Sequence, residues 1–263
     1  MPAKSGLTVS LDSVRFAFGH TPILHGISFD AVPGEFLAVV GPNGCGKSTA
    51  LKIIAGLLHP AQGAVMIDGQ STRSRSTKAL ARQVALLTQA SAVPPNLSVY
   101  DLVAMGRFAH QTLLSRRSRE DEAKIAEAMF AMDVQSLQTK RVGELSGGQL
   151  QRCRMAMTLA QDSAVLLLDE PTTYLDLKYQ YGILEKAREQ ARGGRTVIAV
   201  LHDFTHASLF ADRVAVMHEG TLAAIGKPAD VLAEDTVSRV FDVRTRAVQA
   251  HGAVFHVPVS VAR

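Results

Sequence analysis

The chain has 263 residues, of which 47% are hydrophobic and 20% charged, with a formal net charge of +4. This balance excludes a disordered chain, and the length predicts one large globular domain or one domain with an insertion. Its longest apolar runs, "FLAVV", "IIAGLL" and "AVLLL", are too short to span a bilayer, and "MPAKSGLTVS" lacks the apolar core of a signal peptide. We therefore expect a cytosolic protein.

Charge distribution and cysteine content argue against two further classes. The basic residues are spread along the chain without an aromatic-laced stripe, so nucleic-acid binding is not indicated, and "SRRSRE" at 115–120 suits a solvated loop or helix start. Cys45 and Cys153 are too few for a zinc site and do not suggest a disulfide framework. We expect both to be reduced thiols.

The N-terminal third predicts antiparallel strands followed by a strand–loop–helix unit. Residues 7–39 contain the alternating runs "LTVSLDSVRFAF" and "ILHGISFDAV", separated by turn residues. After them, "FLAVV" reads as a buried strand, and a glycine loop then leads into the helical "KSTALKIIAGLL". "HPAQG" and "MIDGQ" predict turns around another short strand.

The rest of the chain alternates between helical and strand patterns. From about Ser98 to Gln161 the pattern is helical, which predicts an inserted helical subdomain. "AVLLLDE" and "RTVIAVLHD" are continuous apolar runs on either side of the helical "LKYQYGILEKAREQA", so a parallel sheet is the economical topology. The last part predicts a helix in "PADVLAEDTVSRVF" and a strand pair in "RAVQAHGAVFHVPVS", to which we assign no chemistry. His251 and His256 lack a third ligand, so a metal site there is not expected.

The segment "GPNGCGKST", Gly41 to Thr49, matches the phosphate-binding loop pattern G-x-x-x-x-G-K-[ST] in full. It stands after an apolar strand and before a helix, which is the context that the pattern requires. Backbone N–H groups of such a loop surround the β-phosphate, Lys47 reaches the β- and γ-oxygens, and the Ser48 hydroxyl binds Mg²⁺. Cys45 occupies a variable position and is given no redox role.

Polar side chains that follow the buried strands are the next candidates. Asp169 and Glu170 end "AVLLLDE", where Asp169 suits the Mg²⁺ shell and Glu170 the base that orients the attacking water; a turn or helix cap is the alternative. His202 follows "TVIAVL" and Gln89 follows "VALLT", and each is otherwise an ordinary structural residue. Their placement at one sheet edge is what makes both of interest.

The stretch "ELSGGQLQR" places Ser146, Gly147 and Gly148 at the start of the helical segment that runs on to Gln161. A helix N-terminus leaves backbone N–H groups unpaired and carries a partial positive charge, so glycines there allow an anion to approach. An ordinary Ser/Gly cap is the alternative interpretation.

Taken in order, these motifs resemble those of the ATP-binding cassette ATPases over residues 7–240. The matching set is Gly41–Thr49, Gln89, Leu145–Gln149, Asp169 with Glu170, "TYLD" at 173–176, and His202. The resemblance implies an α/β fold: a P-loop NTPase core with a parallel sheet, an N-terminal antiparallel β subdomain and an inserted α-helical subdomain. It divides one nucleotide-binding domain, 1–263, into core and β parts at about 5–89 and 162–240, a helical subdomain at about 90–161 and an extension at about 241–263.

The same resemblance assigns roles to individual residues. Glu170, His202 and Gln89 would be catalytic, and Mg²⁺ would be held by Ser48, Gln89 and Asp169. ATP would be contacted by Phe18, Gly41, Pro42, Asn43, Gly44, Cys45, Gly46, Lys47, Ser48, Thr49, Ser146, Gly147, Gly148, Gln149 and Asp176. Phe18 falls where the family stacks an aromatic ring on adenine, although an aromatic in a first strand is otherwise a core residue. Leu150 departs from the polar or basic residue that relatives often carry there.

Partners also follow from the resemblance. Two cassettes would pair head to tail, so that Ser146 and Gly148 serve the partner's ATP and Asp176 lies at the dimer seam. A single cassette without a membrane span looks like the motor of a transporter, peripheral on the cytoplasmic face of the bacterial inner membrane. It would work with two transmembrane permease subunits, docked near Gln89 and "NLSVYDLVAMGRF", and with a periplasmic or lipoprotein substrate-binding protein.

Other P-loop ATPases fit less well. A kinase needs an acceptor site, repair ATPases carry long heptad insertions, and translation factors fuse two cassettes. "GPNGCGKST", "DEPTTYLD" and "VYDLVAMGRF" are similar to the cassettes of bacterial ferric-siderophore importers, with haem or vitamin B12 import as the alternative and an orphan or regulatory ATPase as a more distant one. In "AVLHDFTHASLFADRVAVMHEG", Phe204 and Thr205 replace the more usual leucine and asparagine.

Overall fold

A computed structural model describes residues 5–89, 93–111, 117–250 and 253–261 of the chain. The strands are β1 (Val9–Phe18), β2 (Thr21–Ala31), β3 (Phe36–Val40), β4 (Gln62–Ile67), β5 (Gln70–Ser71), β6 (Val84–Leu87), β7 (Val165–Asp169), β8 (Thr196–Val200), β9 (Arg213–His218), β10 (Thr221–Gly226), β11 (Val243–Ala250) and β12 (Ala253–Val261). The α-helices are α1 (Lys47–Ile54), α2 (Thr77–Ala81), α3 (Val99–Ala104), α4 (Arg119–Ala131), α5 (Gly147–Ala160), α6 (Leu177–Arg192), α7 (Phe204–Phe210), α8 (Pro228–Val231) and α9 (Glu234–Phe241).

The central sheet has six strands in the order β10-β9-β3-β8-β7-β6. Neighbours from β9 to β6 run parallel, and β10 joins the edge antiparallel to β9. Every residue of β3, β7 and β8 is buried, as their continuous apolar runs predict for strands that are covered on both faces. The predicted α/β fold with a parallel sheet is thus confirmed.

A second, antiparallel sheet packs over one face of this core, in the order β2-β1-β4-β5. Inward residues of β1 and β2 share a hydrophobic cluster with α1 and with one face of β3, β7 and β8. The turn predicted at "MIDGQ" places Asp68 and Gly69 at positive φ, between β4 and β5. The antiparallel strands predicted for residues 7–39 are therefore present.

Helices α3, α4 and α5 pack together beside the opposite face of the sheet, in the second hydrophobic cluster. A buried ion pair joins them: Arg107 Nε donates to Asp121 Oδ1 at 2.8 Å, and Arg107 Nη1 donates to the Ala160 carbonyl at 3.0 Å. Helix α4 begins at Ser118 with a capping box, so the described end of "SRRSRE" is a helix start. The subdomain boundaries predicted for this region remain a prediction.

The C-terminal segment contains two short helices and a hairpin. The predicted helix "PADVLAEDTVSRVF" is divided into α8 and α9, since Leu232 and Ala233 lie between them. Strands β11 and β12 pair antiparallel, which confirms the predicted strand pair. Within the described residues, the helices are all too short or too polar to cross a bilayer.

Candidate active site

The sheet topology brings the chemistry-bearing loops to one edge. Because β3, β8, β7 and β6 are adjacent and parallel, the segments after them emerge together at their carboxyl ends. A cavity of 440 Å³ lies there. It is lined by Ile23, Asn43, Gly44, Gly46, Lys47, Ser48, Thr49, Gln89, Glu170 and His202.

The loop between β3 and α1 needs glycine for close packing. Gly41 has a φ of +155°, and a Cβ there would lie 2.2 Å from the Met217 carbonyl oxygen. Gly46 has a φ of +100°, and its Cβ would lie 2.6 Å from the Leu24 side chain. A Cβ on Gly44, in contrast, would meet nothing within 4 Å. The loop therefore packs closely against β2 and β9, whereas Gly44 has free space beside it and lines the cavity.

Helix α1 presents free donors to this cavity. Its cap, Gly46, contributes no side-chain hydrogen bond, and the first intrahelical bond runs from Ala50 N–H to the Gly46 carbonyl at 2.9 Å. The N–H groups of Lys47, Ser48 and Thr49 consequently have no intrahelical acceptor. Lys47 is buried and its ammonium donates to the carbonyls of Gly41 and Pro42 at 2.8 and 2.7 Å. Unpaired N–H donors beside a buried ammonium are the groups that suit a polyanion such as a phosphate chain.

The Ser48 hydroxyl donates to Asp169 Oδ1 at 2.7 Å, which links the loop to the end of β7. Burial raises the pKa of the Asp169 carboxyl, the hydrogen bond from Ser48 opposes that effect, and the neighbouring Glu170 carboxylate adds to it. Hydroxyl and carboxylate oxygens are the ligands that Mg²⁺ prefers, and a cation would offset the cost of burying this charge. The pair therefore fits a magnesium ion.

Glu170 lies at the centre of the predicted catalytic residues. Its Oε1 is 2.6 Å from His202 Nε2, and its Oε2 accepts from Gln89 Nε2 at 2.5 Å and from Thr173 Oγ1 at 3.4 Å. Glu170 also has a φ of +52°, a left-handed conformation that costs a non-glycine residue about 1–3 kcal/mol and is common at active sites. The surrounding hydrogen bonds hold this carboxylate toward the phosphate loop.

The segment "ELSGGQLQR", residues 144–152, is called the signature segment below, and it begins α5 with a cap at Ser146, as its alternative interpretation predicts. Ser146 Oγ accepts from Gln149 N–H at 3.3 Å, and Gln149 Oε1 accepts from Ser146 N–H at 3.1 Å. The first intrahelical bond runs from Leu150 N–H to the Ser146 carbonyl, so the N–H groups of Gly147 and Gly148 have no intrahelical acceptor. A Cβ on Gly147 would meet nothing within 4 Å. Both interpretations of the motif, a cap and an open anion site, are compatible with this geometry.

Other predicted residues lie apart from the cavity walls. Phe18 is 53% exposed at the end of β1 and packs edge-on against Phe16, with 4.8 Å between ring centroids. Asp176 caps α6 by accepting from Tyr179 N–H at 3.2 Å. Cys45 is buried in the loop as a free thiol. Among the residues that the structure describes, no group of three or more His, Cys, Asp or Glu is placed to hold a metal by itself.

Two residues of the site were not predicted. Ile23, in β2, lines the cavity, although an apolar residue in a strand gives no sequence signal for such a role. Gln151 is buried in α5 and donates to the Pro171 carbonyl at 3.1 Å, which joins the signature helix to the segment after Glu170. A buried glutamine one turn into a helix carries no recognisable pattern either.

Comparison with known proteins agrees with this geometry. The family model described as ABC transporter matches residues 24–173. The chain belongs to the ABC transporter family. It is 38% identical over 234 residues to the ferric enterobactin transport ATP-binding protein of Escherichia coli, covering 89% of this chain and 86% of that one.

Two further relatives and one solved structure extend the comparison. The achromobactin transport ATP-binding protein of Dickeya dadantii is 41% identical over 249 residues, covering 94% of this chain and 92% of the relative. A hemin import ATP-binding protein of Nocardia farcinica is 43% identical over 219 residues, covering 83% and 75%. A chain of an inward-facing, metal-chelate type ABC transporter superimposes with a TM-score of 0.82 at 25% identity, covering 97% of this chain and 98% of its own.

Proposed function

We propose that this chain is the ATP-hydrolysing subunit of a bacterial ABC importer that takes up ferric siderophores. The observation that carries the ATPase function is the Glu170 carboxylate, held by His202 and Gln89 on the wall of the cavity that the phosphate loop also lines. The siderophore cargo rests on relatives at 38% and 41% identity, which are ferric enterobactin and achromobactin transport subunits.

ATP binding is the task of the loop and of α1. The unpaired N–H groups of Lys47, Ser48 and Thr49 bind phosphate oxygens, and the Lys47 ammonium supplies the positive charge beside them. Since Lys47 already donates to Gly41 and Pro42, its position is set before the nucleotide arrives. Phe18 would stack on adenine; its exposed ring at the end of β1 leaves it available for such a contact.

Ser48, Asp169 and Gln89 would hold Mg²⁺. The ion, when bound, neutralises charge that develops on the phosphates during transfer. The hydrogen bond between Ser48 and the Asp169 side chain, across 121 residues of sequence, supports this role. The support is the oxygen chemistry of these side chains together with the buried carboxylate of Asp169.

Hydrolysis would then proceed through Glu170 and its neighbours. Glu170 accepts a proton from the attacking water, and Gln89 orients the carboxylate through Oε2. His202 holds the other oxygen and lines the same cavity, where it would contact the γ-phosphate. The left-handed backbone at Glu170 aims the carboxylate into the cavity rather than along the strand.

A homodimer would complete each site. The N-terminus of α5, with Ser146, Gly147 and Gly148, would approach the ATP of a second copy, because its N–H groups are open to solvent and not to the chain's own cavity. Asp176, exposed at the cap of α6, would lie at the seam between copies. We also propose that the helical subdomain spans about residues 90–161.

The remaining partners follow the transport role. Two permease subunits would place the cassette at the cytoplasmic face of the inner membrane, and a substrate-binding protein would deliver the cargo. Haem import is the second candidate function, favoured by the hemin import relative at 43% identity.

Uptake in source cells tests the cargo. Cells that lack this gene are complemented with wild type or Glu170→Gln and given radiolabelled ferric siderophores, with labelled haem and vitamin B12 as comparisons. We expect siderophore uptake to return with wild type and not with the variant. If only haem uptake is lost in the deletion strain and restored by wild type, the ATPase function stands and the siderophore cargo is overturned. Unchanged uptake of all three in the deletion strain would contradict the importer function.

A further inference from the structure

The C-terminal segment contacts α7, the helix whose cap residue, Asp203, follows His202. The Phe204 ring packs edge-to-face on Phe241 of α9, with 4.6 Å between centroids, and on His256 of β12, with 5.6 Å. One turn further, Ser208 Oγ accepts from Val254 N–H at 2.7 Å. Positions i and i+4 lie on one helix face, so this face of α7 rests on the C-terminal segment.

The hairpin that makes these contacts is itself fixed in place. The His256 ring nitrogens lie 2.8 Å from the Leu232 carbonyl and 3.0 Å from Thr245 Oγ1. Ala247 N–H donates to Glu234 Oε1 at 2.6 Å, which ties β11 to the start of α9. Because both strands of the hairpin are hydrogen-bonded to other elements, the surface that α7 packs against is rigid.

The second face of α7 packs on α6 through an aromatic group. Tyr181 of α6 contacts His206 at 5.3 Å and Phe210 at 5.5 Å between ring centroids. Helix α7 is therefore held between α6 and the C-terminal hairpin. Its length of seven residues gives it little stability without such contacts.

The position of α7 decides where His202 points. Asp203 caps the helix by accepting from Thr205 N–H at 2.6 Å, so His202 directly precedes the cap. The His202 side chain is 44% exposed, and its Nε2 contact with Glu170 is 2.6 Å long. Because Asp203 adjoins His202, a shift of α7 would move the histidine backbone and disturb the contact of its ring with Glu170.

We infer that the hairpin β11–β12 is a brace that positions His202 for hydrolysis, and that Phe204 is the positioning residue that transmits its contact. This inference rests on the catalytic role proposed above for His202. Phe204 does not line the cavity and acts through the histidine, which stands two residues before it. The C-terminal segment, to which the sequence assigned no chemistry, thereby becomes part of the ATPase mechanism.

Steady-state kinetics on the full chain test the brace. Phe204→Ala removes both ring contacts, and we expect kcat to fall about 10- to 100-fold, the scale of a displaced catalytic group, with the KM for ATP within about twofold. Phe204→Leu keeps the bulk and should fall between Phe204→Ala and wild type. Val257→Ala, on the same hairpin with its side chain 53% exposed, is the matched control and should retain wild-type kcat. If Phe204→Ala does not fold, Ser208→Ala replaces it, since it removes one hydrogen bond.

A double-mutant cycle with His202→Ala separates positioning from stability. If Phe204 acts through His202, Phe204→Ala should lower the single-turnover rate less than about twofold in the His202→Ala background. An equal loss in both backgrounds, or an unchanged kcat for Phe204→Ala alone, would overturn the brace while leaving the proposed ATPase intact. A wild-type rate for His202→Ala would instead contradict the proposed role of His202. The brace would then be contradicted as well, since it is proposed to act through His202.

Discussion

Replacing Glu170 with glutamine should separate ATP binding from hydrolysis. Both carboxylate oxygens accept in the structure, Oε1 facing His202 at 2.6 Å and Oε2 facing Gln89 at 2.5 Å. Glutamine retains the shape and one acceptor but presents an N–H₂ group at the other oxygen position, opposite a donor. It also cannot take a proton from water. Lys47 and Ser48 bond to other groups, so the binding of ATP should be retained.

The expected loss follows from the role of the carboxylate. A positioned general base contributes about 10²- to 10⁴-fold to a rate, or about 2.7–5.4 kcal/mol of activation free energy at 1.36 kcal/mol per tenfold. We therefore expect the kcat of Glu170→Gln to fall by at least about 10²-fold. The Kd for ATP should change by less than about threefold, because the loop donors that bind the phosphates are unaltered.

Two measurements on purified protein check this result. Steady-state phosphate release gives kcat, and fluorescence titration with a labelled ATP analogue gives the Kd. Glu189→Gln is the control, since Glu189 is an exposed helix residue paired with Lys186 at 2.5 Å and should leave kcat unaltered. Turnover by Glu170→Gln at the wild-type rate would refute the assignment of Glu170 as the base. Loss of ATP binding with loss of turnover would show that the carboxylate supports the phosphate site instead.

Three further outcomes follow from the structure. Gly41→Ala places a Cβ 2.2 Å from the Met217 carbonyl oxygen. ATP binding in the same titration should therefore weaken at least about tenfold, a loss of about 1.4 kcal/mol of binding free energy. Wild-type affinity would contradict the close packing of the loop. Arg107→Met removes the ion-pair partner of the buried Asp121, which then keeps only its hydrogen bonds from Ser118. Urea unfolding should show a loss of about 3 kcal/mol, the low end of the range for a broken buried pair, and a loss below about 1 kcal/mol would mean that the pair is not buried in solution. Burial raises the pKa of the Cys153 thiol to about 11, so at pH 8 only about one thiol in a thousand is ionised. Mass spectrometry after iodoacetamide treatment should find Cys153 unmodified in native protein and alkylated in urea, whereas rapid native labelling would contradict its burial.

Much of the site could be predicted from the sequence because its parts are local. The run Gly41–Thr49 dictates a loop whose glycines have positive φ and a helix that starts with free N–H groups. "AVLLLDE" dictates a strand that is buried on both faces and ends in acids. The helix start at Ser146 could be predicted in the same way, since a cap depends on a few consecutive residues, whereas "SRRSRE" left a loop and a helix start open.

For contacts between distant segments, the sequence predicted only which residues would lie near one another. Parallel strands predicted that Gln89, Glu170 and His202 would share a sheet edge, but not that both oxygens of one carboxylate would be held by the other two side chains. The six-strand order decides which loops meet, and that order is a property of the packed sheet. Ile23 on the cavity wall and the exposed position of Phe18 also depend on how the antiparallel sheet lies over the core.

The sequence by itself determined the phosphate loop, the acidic strand end and the capped signature helix, because each depends on backbone preferences and side chains within one short segment. Only the tertiary structure decided that the C-terminal hairpin touches the helix after His202. Phe204 and His256 are 52 positions apart, and neither residue has a local pattern that reveals its partner. Their contact arises because burial of the Phe204 ring drives packing without regard to sequence distance, so it is settled when the whole core assembles.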